Sequence, residues 1–97
     1  MPRYEWERRF GEEFKKLSKD NQAAFLEAVM RFVAALKEGR PPDPGLGIQQ
    51  MTSHPGIYEF HYSKWGRATF HYASEERGKD AIVVWRRIGG HTIYRQP

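Results

Sequence analysis

The last stretch of the chain concentrates the side chains that can do chemistry. In Trp85-Arg86-Arg87-Ile88-Gly89-Gly90-His91-Thr92-Ile93-Tyr94, two cations precede a Gly-Gly turn. A histidine and a tyrosine three residues apart follow it. Arginine holds phosphate through paired N–H groups, histidine titrates near neutrality, and a phenol can donate a proton or stack on a base. These types suit phosphate binding and proton transfer. The plain alternatives are a surface histidine after a turn and a tyrosine packed into the core.

A second group comes from the two segments before it. Ile57 to Tyr62 and Arg67 to Tyr72 alternate in polarity, as half-buried strands do. Tyr58, Phe60 and Tyr62 share one side with Ala68, Phe70 and Tyr72, so that side faces the core. Glu59, His61, Arg67, Thr69 and His71 share the other, where residues on adjacent strands lie about 5 Å apart. Arg67 is a candidate phosphate ligand or a strand-end partner of Glu59. His61 and His71 are candidate substrate contacts or solvated sheet residues, and they lack a third ligand for zinc. Lys64 and Trp65 occupy the loop between the strands, Trp65 as a stacking platform or a protein contact. Strand alternation sends Arg86 and Arg87 to opposite faces, so one of them meets the site, and Arg87, nearer the Gly turn, is the choice.

These segments need a scaffold, and the first half supplies it. Residues 3–9 suit an edge strand or the start of a helix. Phe10, Phe14 and Leu17 mark one helical face, with Glu12 and Glu13 assigned to its first turn. Asp20 or Asn21 is expected to cap a second helix, whose stripe is Phe25, Leu26, Val29, Phe32, Val33 and Leu36. Gly39 and the prolines 41, 42 and 44 end it. Leu46 to Met51 is a short strand candidate, and His54-Pro55-Gly56 fits a type II turn. Glu75 to Asp80 is a polar loop, and Ala81 to Arg87 is the most buried strand, with Trp85 in the core. The expectation is one α+β domain over residues 1–97: an antiparallel helix pair on one face of a twisted, mainly antiparallel sheet.

Bulk properties narrow the function. The 97 residues carry 16 Lys and Arg against 12 Asp and Glu, and no cysteine. Thiol nucleophiles and thiolate metal sites are excluded. Seven of the acids fall between Glu5 and Glu38, whereas three arginines and no acid follow Asp80. The second half therefore faces anions. No apolar run approaches the roughly 20 residues that span a bilayer. The start, Met1 to Trp6, lacks the apolar core of a signal peptide. A cytoplasmic protein with no membrane partner is expected.

The order of these pieces resembles the RelE/ParE toxin superfamily over nearly the whole chain. The matching parts are His54-Pro55-Gly56-Ile57-Tyr58-Glu59, Arg67 at the start of its strand, and Gly89-Gly90-His91 with Tyr94. The resemblance implies a RelE-like, microbial-RNase-like fold and the toxin of a type II toxin–antitoxin pair. It implies a cognate antitoxin that lies across the basic site or the helices. In the RelE branch it implies an endoribonuclease that cuts mRNA on the ribosome by attack of the ribose 2′-OH, with no metal or other cofactor. In the ParE branch it implies a DNA gyrase inhibitor, and a non-catalytic antitoxin-binding member is a third possibility. Arg67 matches an arginine held to bind the scissile phosphate, and His91 and Tyr94 match the C-terminal catalytic positions. Arg87 joins them as a charge stabiliser. Lys64, Trp65, His61, His71 and Arg86 form the surrounding substrate contacts. Where some RelE proteins carry lysines, this chain has Glu59 and His61, which leaves histidine as the titrating group.

Overall fold

The computed structural model describes residues 3–97; the reading of Met1 and Pro2 lies outside them. The elements are β1 (Arg3–Trp6), α1 (Arg8–Lys15), α2 (Lys19–Glu38), β2 (Gln49–Gln50), β3 (Tyr58–His61), β4 (Arg67–Tyr72) and β5 (Ile82–Gly89). The strands form one sheet in the order β1-β5-β4-β3-β2. β1 runs parallel to β5, and the other three pairings are antiparallel. The ambiguous residues 3–9 thus divide into an edge strand and the first turn of α1.

The helices form where the apolar spacing placed them, with two corrections at their starts. α1 begins at Arg8, so Glu12 and Glu13 lie beyond its first turn and not at the positive end of the dipole. Ser18, not Asp20 or Asn21, caps α2, its Oγ accepting from the Asn21 amide at 3.2 Å. A hydroxyl one residue ahead of the first helical turn satisfies an otherwise orphaned N–H. Gly39 ends α2 in the left-handed region (φ 66°), a conformation that glycine adopts without steric cost.

The core is aromatic and joins both helices to one sheet face. Trp85 lies 4.9 Å, centroid to centroid, from Phe25 and from Phe60, and 5.2 Å from Phe70. Phe10 and Phe14 of α1 meet Phe25 of α2 at 5.4 and 6.0 Å. Phe60, Tyr62, Ala68 and Phe70 are buried, as the alternation requires. The turn at His54–Gly56 forms as read: the Ile57 amide donates to the His54 carbonyl at 3.1 Å, and Gly56 takes φ 90°. No helix among the described residues is long and apolar enough to cross a membrane.

The opposite sheet face departs from simple alternation at one point. Thr69 pairs with Arg87 and Phe70 with Trp85, which leaves Arg86 as an extra residue in β5. A bulge turns two successive side chains to one side. Trp85 and Ile88 therefore both reach the core, while Arg86 and Arg87 both leave it. The expectation that the two arginines take opposite faces fails for this reason.

Candidate active site

Two clusters occupy the sheet face away from the helices, and the C-terminal segment runs along it. After Gly89-Gly90 the chain forms a tight 3-10 turn, His91–Arg95, with the Ile93 amide donating to the Gly90 carbonyl at 3.2 Å. Ile93 plugs this turn into the protein. The end of the chain then crosses β4 and β5. Thr69 Oγ1 and Arg86 Nε both donate to the Pro97 carbonyl at 3.1 Å. Thr69 is consequently fully buried, not solvated as its place on the outer face suggested.

The first cluster lies at the start of β4. His61 of β3 pairs in register with Arg67 of β4, and Glu59 with Thr69. The Tyr94 hydroxyl is buried, and its own burial, followed by the Glu59 carboxylate, raises its pKa above the ordinary phenol range. The phenol is held protonated and acts as a hydrogen-bond donor, not as a phenolate. His91 is exposed and meets the Tyr94 ring edge-on at 5.6 Å. His61 has a pKa below the usual histidine value, from partial burial first and the Arg67 charge second, against an opposing pull from Glu59. Its ring fits over Gly47, where a Cβ would come within 2.6 Å. The structure thus brings His61, Arg67, Tyr94 and His91 together and adds Glu59. The sequence pattern offered Glu59 only as an arginine partner; its pairing opposite Thr69 depends on the strand register.

Arg67 is not ion-paired with Glu59 among the described residues. Its Nη1 donates to the carbonyls of Ser63, Lys64 and Gly66 at 3.1, 3.3 and 2.9 Å. Glu59 instead accepts from the Gln49 amide at 3.3 Å. Lys64 and Trp65 stand at the loop tip, with the ammonium 5.4 Å from the indole centroid.

The second cluster is built from the bulge. Arg87 Nη2 donates to Glu13 Oε2 at 2.6 Å and Nε to Oε1 at 3.3 Å, while Oε1 also accepts from the Ile88 amide. The two side chains are 15% and 23% exposed, so this is a partly buried, two-pronged ion pair that fastens α1 to β5. Arg87 Nη1 donates further to the Gln96 carbonyl at 3.2 Å. Arg86 Nη1 donates to His71 Nδ1 at 3.0 Å and lies 3.8 Å from Glu7. Burial and then the Arg86 charge lower the His71 pKa. Among the described residues no group of three His, Asp or Glu side chains is arranged to hold a metal ion.

No family model and no curated protein matches the sequence. Solved structures match it closely in shape. A chain of the RelB–RelE antitoxin–toxin complex from Methanococcus jannaschii superposes with a TM-score of 0.67 at 10% identity, covering 96% of this chain and 99% of that one. A copper-bound mutant toxin from Helicobacter pylori gives 0.66 at 18% identity, covering 95% and 97%. YafQ from E. coli strain BL21(DE3) gives 0.66 at 11%, covering 97% and 98%. The likeness is one of fold: the chain has the α+β fold of RelE/ParE superfamily toxins.

Proposed function

We propose that this chain is the toxin of a toxin–antitoxin pair and that it cleaves mRNA on the ribosome by metal-free 2′-OH attack. The observation that carries the reading is the cluster of His61, Glu59, Arg67, Tyr94 and His91: two histidines, a protonated phenol and a cation on one open sheet face. A surface that only binds needs no such set. The solved relatives of the fold that are described as toxins support the role, and those solved with an antitoxin support a cognate partner.

In this reading neutral His61 accepts the 2′-OH proton as the 2′-oxygen forms its bond to phosphorus. The bond from phosphorus to the 5′-oxygen breaks, and His91 supplies that oxygen with a proton. The products are a 2′,3′-cyclic phosphate and a 5′-hydroxyl. The N–H groups that Arg67 does not commit to the loop oppose the growing charge on the phosphoryl oxygens, and the Tyr94 ring packs against His91 beside them. Arg87 serves this site by holding β5 and the C-terminal segment in place. Arg86 and His71 flank the strand path.

The antitoxin surface in this reading is the apolar groove of about 280 Å³ on the helix side, where Tyr4, Trp6, Phe14 and Leu26 meet. β1 borders it as an edge strand, and an amphipathic segment fits such a groove. The test of function is brief induction followed by mapping of RNA ends and DNA breaks. Cuts within translated messages support the nuclease; DNA breaks without RNA cuts replace it with gyrase inhibition.

A further inference from the structure

The loop between β3 and β4 carries an indole into solvent and holds it there. Trp65 is 76% exposed. Single exposed aromatics are ordinary, but this one stands on a fixed support. The Tyr62 amide donates to the Gly66 carbonyl at 3.2 Å, and the Gly66 amide to Ser63 Oγ at 2.8 Å. Arg67 ties three loop carbonyls together from below. A Cβ on Gly66 would come within 2.3 Å of the Tyr62 ring, so the loop closes tightly against the core.

Beside the indole lies an open cleft of about 370 Å³, bordered by Trp65, Asn21, Ser63, Gly66 and Gly90. Gly90 is the residue before His91, so the cleft adjoins the reactive cluster along the chain. Tyr62 Oη reinforces that junction by donating to the Gly89 carbonyl at 3.3 Å. The cleft presents a flat aromatic face, the Lys64 ammonium near that face, and an amide and a hydroxyl on its walls. An unpaired nucleobase needs a π surface to stack on, a cation for its phosphate and polar groups for its edge.

We propose that Trp65 is the stacking platform for an unpaired nucleobase of the substrate strand, held in the cleft between the hairpin tip and Gly90. This rests on the nuclease reading for the class of ligand. Lys64 faces the phosphate of that nucleotide. Arg67 is a positioning residue for the platform in addition to its place beside His61.

The experiment is fluorescence anisotropy of a short, labelled single-stranded RNA with wild type and the variants Trp65→Ala, Trp65→Phe and Met30→Ala. The same strand with abasic sites serves as the second probe. Loss of one base stack corresponds to about a 5- to 160-fold weakening for Trp65→Ala. Trp65→Phe keeps most of the affinity, Met30→Ala, at an exposed apolar side chain of α2, keeps all of it, and the abasic strand no longer distinguishes the variants. Equal affinity of wild type and Trp65→Ala, or the same loss on the abasic strand, overturns the platform. Cleavage on translating ribosomes is scored separately. Cleavage with Trp65-independent binding removes the platform and leaves the nuclease; Trp65-dependent binding with no cleavage does the reverse.

Discussion

Arg67 and Arg87 are both arginines on the same sheet face, about one strand apart in the ladder, yet they do different work. Arg87 is closed off: its guanidinium is claimed by Glu13 from α1 and by the Gln96 carbonyl. Arg67 spends one nitrogen on its own loop and sits among His61, Tyr94 and Glu59, groups that can move or hold a proton. Cationic character in a sequence therefore does not locate a phosphate site. A cation ion-paired to an acid from another element is a fastener; a cation bound only to the carbonyls of its own loop keeps N–H groups available to a ligand.

The strongest break of this comparison is His91→Ala. His91 is exposed and belongs to the open cluster, so its loss costs proton transfer and not folding. Cleavage is expected to fall about 10²- to 10⁴-fold, and growth inhibition with it. An unchanged melting curve checks that the fold survives. A fully toxic variant removes His91 from the mechanism.

Arg87 gives the complementary result. Glu13→Ala or Arg87→Ala removes charged hydrogen bonds from a partly buried pair, at a cost of about 2 kcal/mol. For a domain of this size that lowers Tm by about 10 °C. The double variant should lose little more than either single one, because each removes the same contact. An Arg87→Ala protein of unaltered Tm that no longer cleaves would erase the distinction between fastener and ligand site.

The residues themselves show why only part of this was readable in advance. The α2 stripe apart from Leu26, which is 53% exposed because it turns away from the sheet, the Gly39 stop, the Pro-Gly turn and the span of β4 follow from local spacing, and they formed as expected. The bulge at Arg86 did not, because a single extra residue in a strand leaves no mark in an alternating pattern. It reversed the facing of one arginine. The Glu13–Arg87 pair joins residues 74 apart in sequence, beyond any local period. Alternation puts Thr69 on the outer face, and nothing in β4 announces that the end of the chain will cover it. The place of Glu59 beside Tyr94 likewise needs the 3-10 turn after Gly90 to bring the phenol back over β3. Elements were legible from near neighbours; the site was legible in residue type but not in which cations remain free.

Gly47→Ala sharpens the open side of the comparison with a smaller effect. Gly47 has φ 57°, and a Cβ there meets the His61 ring. The left-handed backbone costs a side chain about 1–2 kcal/mol. The displaced ring loses its partial burial, so the His61 pKa should move back up toward the ordinary histidine value in an NMR titration. An unmoved pKa would show that Gly47 does not set the His61 environment.

The smallest effect is the pH dependence of stability, and it tests both clusters at once. His61 and His71 each have a folded pKa below the usual 6.5, through burial and then through Arg67 and Arg86 respectively. The folded state therefore binds fewer protons than the unfolded chain as pH falls through the range below 6.5. Stability rises with pH wherever the unfolded state holds more protons, so acidification destabilises the protein there. Above 6.5 both states leave these histidines neutral and the effect vanishes. Urea midpoints at pH 7.0 and about 5.0 should differ less in His61→Gln, His71→Gln and above all the double variant than in wild type. Tyr94 supplies the opposite limb. Its folded pKa is raised above the usual phenol value of 10, so its contribution is whole below pH 10 and is lost as the unfolded phenol ionises above it. Tyr94→Phe should flatten that alkaline decline without altering the acid one. An acid slope that persists in the double histidine variant would mean that neither ring is held neutral by its burial and its arginine. His61 would then lose its standing as the base, and that role would pass to His91.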